Sequence, residues 1–160
     1  MTTVGEACTR TVSIAHAHEP VLEIAHRMRD HHVGCLIVVE EAPRGRVPIG
    51  VVTDRDLVLG VLATRLHAAE RIAVREVMSP DVVSVREDAS LTEALALMRG
   101  EGVRRVPVVD ESGVLLGLLA LDDVLCLLAE QLQDVVGLLR REEHSERART
   151  VVPATTQSNA

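Results

Sequence analysis

The sequence predicts an α+β fold built from one small unit written twice. Two observations carry this. Ile49-Gly-Val-Val-Thr-Asp-Arg-Asp56 and Leu116-Gly-Leu-Leu-Ala-Leu-Asp-Asp123 each join a glycine-containing apolar run to an acidic cluster that opens a helical stretch. Upstream, Val33–Val39 aligns with Val103–Val109 at an offset of 70, with Met28 on Met98, Val21 on Leu91 and Cys8 on Met78. The offset falls to 67 at Gly50 and Gly117, so three residues are absorbed in Glu40–Pro48, where a loop tolerates length changes. Copies of roughly 60 residues are too small to bury a generous core alone. They are expected to fold as one pseudo-symmetric unit, and the seam between them is a natural place for a ligand.

Each element follows from its own pattern. Val12–Ile14 is a short extended stretch. Pro20 suits the first helical position, and Val21, Ile24, Ala25 and Met28 recur at helical spacing up to His31-His32. Val33–Val39 and Pro48–Thr53 read as buried strands, and Asp54–Leu66 as a helix. In the second copy Val82–Val85 is extended. Ser90-Leu-Thr-Glu93 is a capping box opening a helix, Val103–Val109 and Val114–Leu119 are strands, and Asp122 opens a long helix to about Glu146. The divisions expected are a first repeat over 4–66, a linker over 67–75, a second repeat over 76–140, and a helix end with a disordered tail over 141–160.

Composition excludes several function classes. The net charge of −7 opposes non-specific nucleic-acid binding, which needs a basic face. The chain has no Phe, Tyr or Trp, so it lacks the aromatic platforms on which single strands stack. A ligand base would lie on aliphatic side chains or on Arg. No apolar run approaches ~18 residues without a charge, and the N-terminus lacks the basic and apolar regions of a signal peptide, so a cytoplasmic location is expected, without a membrane. Cys8, Cys35 and Cys126 are odd in number and widely spaced, and read as reduced thiols. The seven histidines show no metal-ligand spacing, so no metal site is expected. No nucleophile has a base at motif spacing and no phosphate-binding glycine loop occurs, so the chain is not expected to be an enzyme.

The element order β-α-β-β-α, twice, with Gly-Val-Val-Thr-Asp-Arg-Asp after the third strand and Val77-Met-Ser-Pro80 leading into the second copy, resembles a tandem pair of CBS domains (named after cystathionine β-synthase). The resemblance covers roughly residues 4–140. It implies two repeats packed sheet to sheet, with a long C-terminal helix added here. It also implies a regulatory module that binds an adenosine ligand (AMP, ADP, ATP or S-adenosylmethionine) between the repeats and passes the bound state to a protein partner, without a required cofactor.

By position in that resemblance, Asp56 would accept from the ribose hydroxyls, and Val12, Ser13 and Val33 would hold the adenine. On physical grounds Thr53 could reach ribose or phosphate, Gly50 would let backbone approach closely, and the helix start at Asp54 would offer N–H groups to an anion. Asp123 keeps the carboxylate in the second copy, but Ala120 replaces the threonine, so that site is expected to be the weaker. Arg104 and Arg105 could neutralise a phosphate, with strand alternation allowing only one to face the cleft. Thr-x-x-Asp is equally a plain helix cap, which leaves open a ligand-free homodimeric interaction module. The last helix speaks for a homodimer: Leu121, Leu125, Leu128, Leu132, Val135 and Leu139 form a heptad seam, widened by Val124, Leu127, Val136 and Leu138.

Overall fold

The computed structural model describes residues 2–150; the expected tail over 151–160 lies outside the described residues. A short helix α1 (Val4–Ala7), not expected from the sequence, precedes the first repeat. That repeat is β1 (Ile14–His16), α2 (Val21–His31), β2 (Cys35–Ala42), β3 (Gly45–Thr53) and α3 (Asp54–Leu57), which runs on as a π-helical turn over Val58–Leu62. The second repeat is β4 (Val85–Arg86), α4 (Leu91–Glu101), β5 (Arg105–Val109), β6 (Leu115–Ala120) and α5 (Leu121–Thr150). Each repeat has a three-stranded sheet with β2 or β5 in the middle, parallel to the first strand and antiparallel to the last.

The repeats copy one another down to their irregularities. Both antiparallel pairs carry a bulge at the equivalent place. Val38 faces Gly50 while Val39 faces Pro48, and Val108 faces Gly117 while Val109 faces Leu115. Ile49 and Leu116 are the extra residues, and the irregularity is what admits Pro48 inside a strand. Both first helices end on a left-handed residue, His32 at φ 54° and Gly102 at φ 66°. Their starts differ. Ser90 caps α4 reciprocally with Glu93, whereas Pro20 gives α2 no side-chain cap. The first repeat instead binds its helix to its sheet through Arg27, which donates to Glu19 at 2.7 Å and to the Ile14 carbonyl at 2.6 Å.

The lead-in segments are exchanged between repeats. Thr9 trades two backbone hydrogen bonds with Leu118 on β6 (3.0 and 2.9 Å), and Ser79 does the same with Val51 on β3 (2.8 and 3.0 Å). Val4, Ala7 and Cys8 therefore belong to the apolar core of the second repeat, and Val74, Val77 and Met78 to that of the first. The stretch read as a linker, 67–75, is packed: Ala69 and Ile72 are buried with Val21 and Val61. Residues up to Val124 form one compact unit, and those from Leu125 a second.

Candidate ligand cleft between the repeats

The exchange of lead-ins creates the site. A cleft of about 650 Å³ opens between the end of β3 and the start of the second repeat. Val51, Thr53, Arg55 and Cys35 line it from the first repeat; Ser79, Asp81, Val82, Val83 and Gly102 to Arg105 line it from the second. Its volume lies in the range of small-molecule sites. Valines supply apolar walls, Thr53 and Ser79 supply hydroxyls, and three guanidiniums stand against the single carboxylate of Asp81. The lining itself carries three cations to one anion, with Asp122 against Arg104 and Asp54 and Asp56 near Cys35 just outside it.

The structure brings Thr53, Arg104 and Arg105 to this cleft and sends other expected residues elsewhere. Both arginines line it, against the expectation that only one could: Arg104 precedes β5, so strand alternation does not govern the pair. Val12, Ser13 and Val33 are not in its lining. Val12 lines a separate cavity of about 120 Å³ with Arg10 and Arg46. The Ser13 hydroxyl lies 2.9 Å from His31 Nδ1, and Val33 packs against the first repeat's core. The reason is the exchange: the positions 70 residues on, Val82, Val83 and Val103, occupy the wall assigned to them. Ser79, Asp81 and Arg55 were missed. The repeat held part of the signal, because swapping equivalent segments between copies points to the stretch around Val82 and Val83 that holds the first two.

Gly50 serves the seam rather than the cleft. A Cβ there would stand 2.9 Å from both Met78 Sδ and the Ser79 carbonyl oxygen. Gly117 is its counterpart, with Cys8 Sγ at 2.6 Å and the Thr9 oxygen at 2.9 Å from such a Cβ. Both glycines let a lead-in lie directly on a strand.

The start of α3 is closed to an anion. Thr53 N–H donates to Asp56 Oδ2 at 2.8 Å, and Asp54 N–H to the Gly34 carbonyl at 3.0 Å. Arg55 N–H donates to Asp54 Oδ1 at 2.7 Å, and Asp56 N–H to Thr53 Oγ1 at 3.2 Å. The N–H groups expected at Asp54 are thus consumed by the Gly34 carbonyl, the Asp54 carboxylate and the reciprocal cap. Thr53 Oγ1–H also donates to Asp56 Oδ2, at 2.7 Å, so Asp56 Oδ1 is the cap's spare acceptor. In the second copy Ala120 N–H still donates to Asp123 Oδ2 at 3.1 Å, but the hydroxyl half of the cap is missing.

Electrostatics fix the floor of the cleft. Cys35 sits opposite Thr53 in the sheet register. Burial pushes its thiol up from its ordinary pKa, against the pull of the Arg105 guanidinium. Arg104 makes a long, exposed ion pair with Asp122 at 3.4 Å. Among the described residues no group of His, Cys, Asp and Glu is arranged to hold a metal ion.

Comparison with known proteins gives this arrangement its family. The CBS domain family model matches residues 4–62 and 74–130. The chain belongs to the CBS domain family. An uncharacterized protein of Methanopyrus kandleri is 40% identical over 122 residues, 76% of this chain and 60% of that protein, so the chain spans less than two thirds of that relative's length. The CBS pair fold recurs in the crystal structure of hypoxic response protein I with two coordinated zinc ions, a protein of Mycobacterium tuberculosis. That structure is 31% identical with a TM-score of 0.67, covering 78% of this chain and 97% of the other. The cytosolic domain of the Mg2+ channel MgtE in complex with ATP is 30% identical with a TM-score of 0.65, covering 79% of this chain and 48% of the other. The related transporter sequence is from Thermus thermophilus.

Proposed function

We propose that this CBS pair is a non-catalytic, cytoplasmic sensor that binds one adenosine nucleotide in the cleft between Thr53 and Arg105. The observation that carries the reading is the set of Arg55, Arg104 and Arg105 beside the apolar lining of Val51, Val82, Val83 and Val103. The valines suit a base with no aromatic partner, Thr53 suits a ribose, with Asp56 hydrogen-bonded to it but outside the lining, and the guanidiniums suit phosphates through paired hydrogen bonds. The ATP complex of the MgtE domain supports an adenosine ligand. Three guanidiniums favour ATP or ADP over AMP, and any of these over S-adenosylmethionine, whose sulfonium is cationic. A ligand there touches both repeats and biases their relation, which a partner protein can read.

The test is thermal unfolding followed by far-UV circular dichroism with each of the four ligands. A ligand at 100 times its Kd adds about 2.7 kcal/mol of stability. No shift with any of them at millimolar concentration overturns the proposal. The closed cap at Thr53 and Asp56, complete without a ligand, favours a second reading as a ligand-free interaction module. Mapping Cys35 alkylation by mass spectrometry separates the two, because a nucleotide in the cleft shields this thiol and leaves labelling of Cys126 unchanged.

A further inference from the structure

Helix α5 carries a row of large apolar side chains that are exposed among the described residues. Val124 is buried and Leu121 packs on the second repeat's core. Leu125, Leu132 and Leu139 occupy the a positions of the heptad, Leu128 and Val135 the d positions, and all five are roughly half exposed. Leu138 at g and Val136 at e flank them, 62% and 39% exposed. A helix derives most of its stability from packing an apolar face, and Gly137 weakens this one further by about 1 kcal/mol. The face therefore calls for a partner.

Its chemistry selects the partner. A membrane surface wants a helix with a basic polar face, whereas the first half of α5 carries Asp122, Asp123, Glu130 and Asp134. Arg140 and Arg141 follow near the far end of the seam, with Glu142 and Glu143 directly after them, so that end is far less acidic than the first half. A second α5 running in the opposite direction sets these arginines beside the acidic half of its neighbour; a parallel one sets acid against acid. The sustained heptad fits another helix of the same period. Seven aliphatic side chains offer on the order of 600 Å² per chain, close to the share per partner at which specific interfaces begin, provided all seven are covered.

The stripe is wider than two helices cover. Paired coiled coils place charged residues at e and g, and here Val136 and Leu138 take those positions. We propose that α5 assembles with α5 of other copies of this chain into an antiparallel four-helix bundle, making the protein a tetramer.

Sedimentation equilibrium of the full chain tests this. The expected mass is four times the 17.3 kDa of one chain. Leu132→Glu, at the centre of the seam, is expected to abolish the four-chain species. Leu138→Glu, on the flank, is expected to reduce it to two chains, and Gln133→Glu on the outer face to leave it intact. Circular dichroism checks that the repeats stay folded, and Leu132→Gln replaces the glutamate variant if they do not. A wild-type mass of one or two chains, or a four-chain mass retained in the Leu132 variants, overturns the proposal. The outcome does not depend on whether a nucleotide binds.

Discussion

The two repeats share a backbone plan, bulges and exchanged lead-ins, yet they offer opposite chemistry at equivalent positions. Arg55, Arg104 and Arg105 line the first cleft. Their counterparts across the pseudo-symmetry are Asp122, Gly34 and Cys35. Thr53 corresponds to Ala120, and Ser79 to Thr9. The fold repeats its backbone plan, but the guanidiniums that line the cleft have no counterparts at the equivalent positions of the other copy. A pseudo-symmetric scaffold fixes where a site can be; a handful of substitutions decides whether it is charged to bind.

The sharpest way to break this comparison is to remove a guanidinium. Arg105→Ala is expected to lower ATP affinity about tenfold or more, the worth of a charge-assisted hydrogen bond, with little change in melting temperature. Titration calorimetry checks the first and circular dichroism the second.

The seam glycines come next. Gly50→Ala is expected to cost about 1–3 kcal/mol in chemical denaturation, because the new methyl group meets the Ser79 backbone, which cannot yield cheaply. It should also weaken ATP binding, since Ser79 leads into the cleft wall. Gly117→Ala crowds Thr9 in the same way, and is expected to cost stability without touching ATP affinity.

A third contrast is acid sensitivity. Arg27 holds the Glu19 carboxyl below the usual range, chiefly by hydrogen bonding, whereas the second repeat places Ala89 and Leu97 at those positions. The folded pKa is depressed, so this contribution is present above the ordinary glutamate value of about 4.3 and lost as pH falls through the folded value. Glu19→Gln is expected to be less stable at neutral pH and to lose less of its stability below about pH 4, as urea denaturation across pH would report.

The smallest effect belongs to Ala120→Thr, which restores the hydroxyl half of the cap. It is expected to stabilise the protein by about 0.5–1 kcal/mol in thermal unfolding. It should not create a second ATP site, because Asp122, Gly34 and Cys35 still stand where the guanidiniums would be needed.

Much of this was legible in the chain. Repetition at offsets of 70 and 67 predicts two copies and their element order, and Thr53, Arg104 and Arg105 line the cleft, where alternation allowed only one of the two arginines. What stayed hidden is tertiary. Hydrophobic periodicity says that Val12 and Val82 are extended but not which repeat's sheet each lies against, so the exchange of lead-ins moved the apolar wall from Val12 to Val82. Strand alternation does not reach Arg104, which lies outside β5. The N–H groups at Asp54 look available in sequence, and only the hydrogen-bond geometry reveals that Gly34, Asp54 and Thr53 consume them. The uncovered width of α5 likewise emerges only once Val124 is seen to be its last fully buried apolar residue among the described ones.

Isothermal titration of ATP into the purified protein, counting equivalents per chain, bears most directly on the asymmetry of the clefts. One equivalent per chain, abolished or weakened by Arg105→Ala, is the predicted result. Two equivalents per chain, or an affinity indifferent to Arg105, would contradict it.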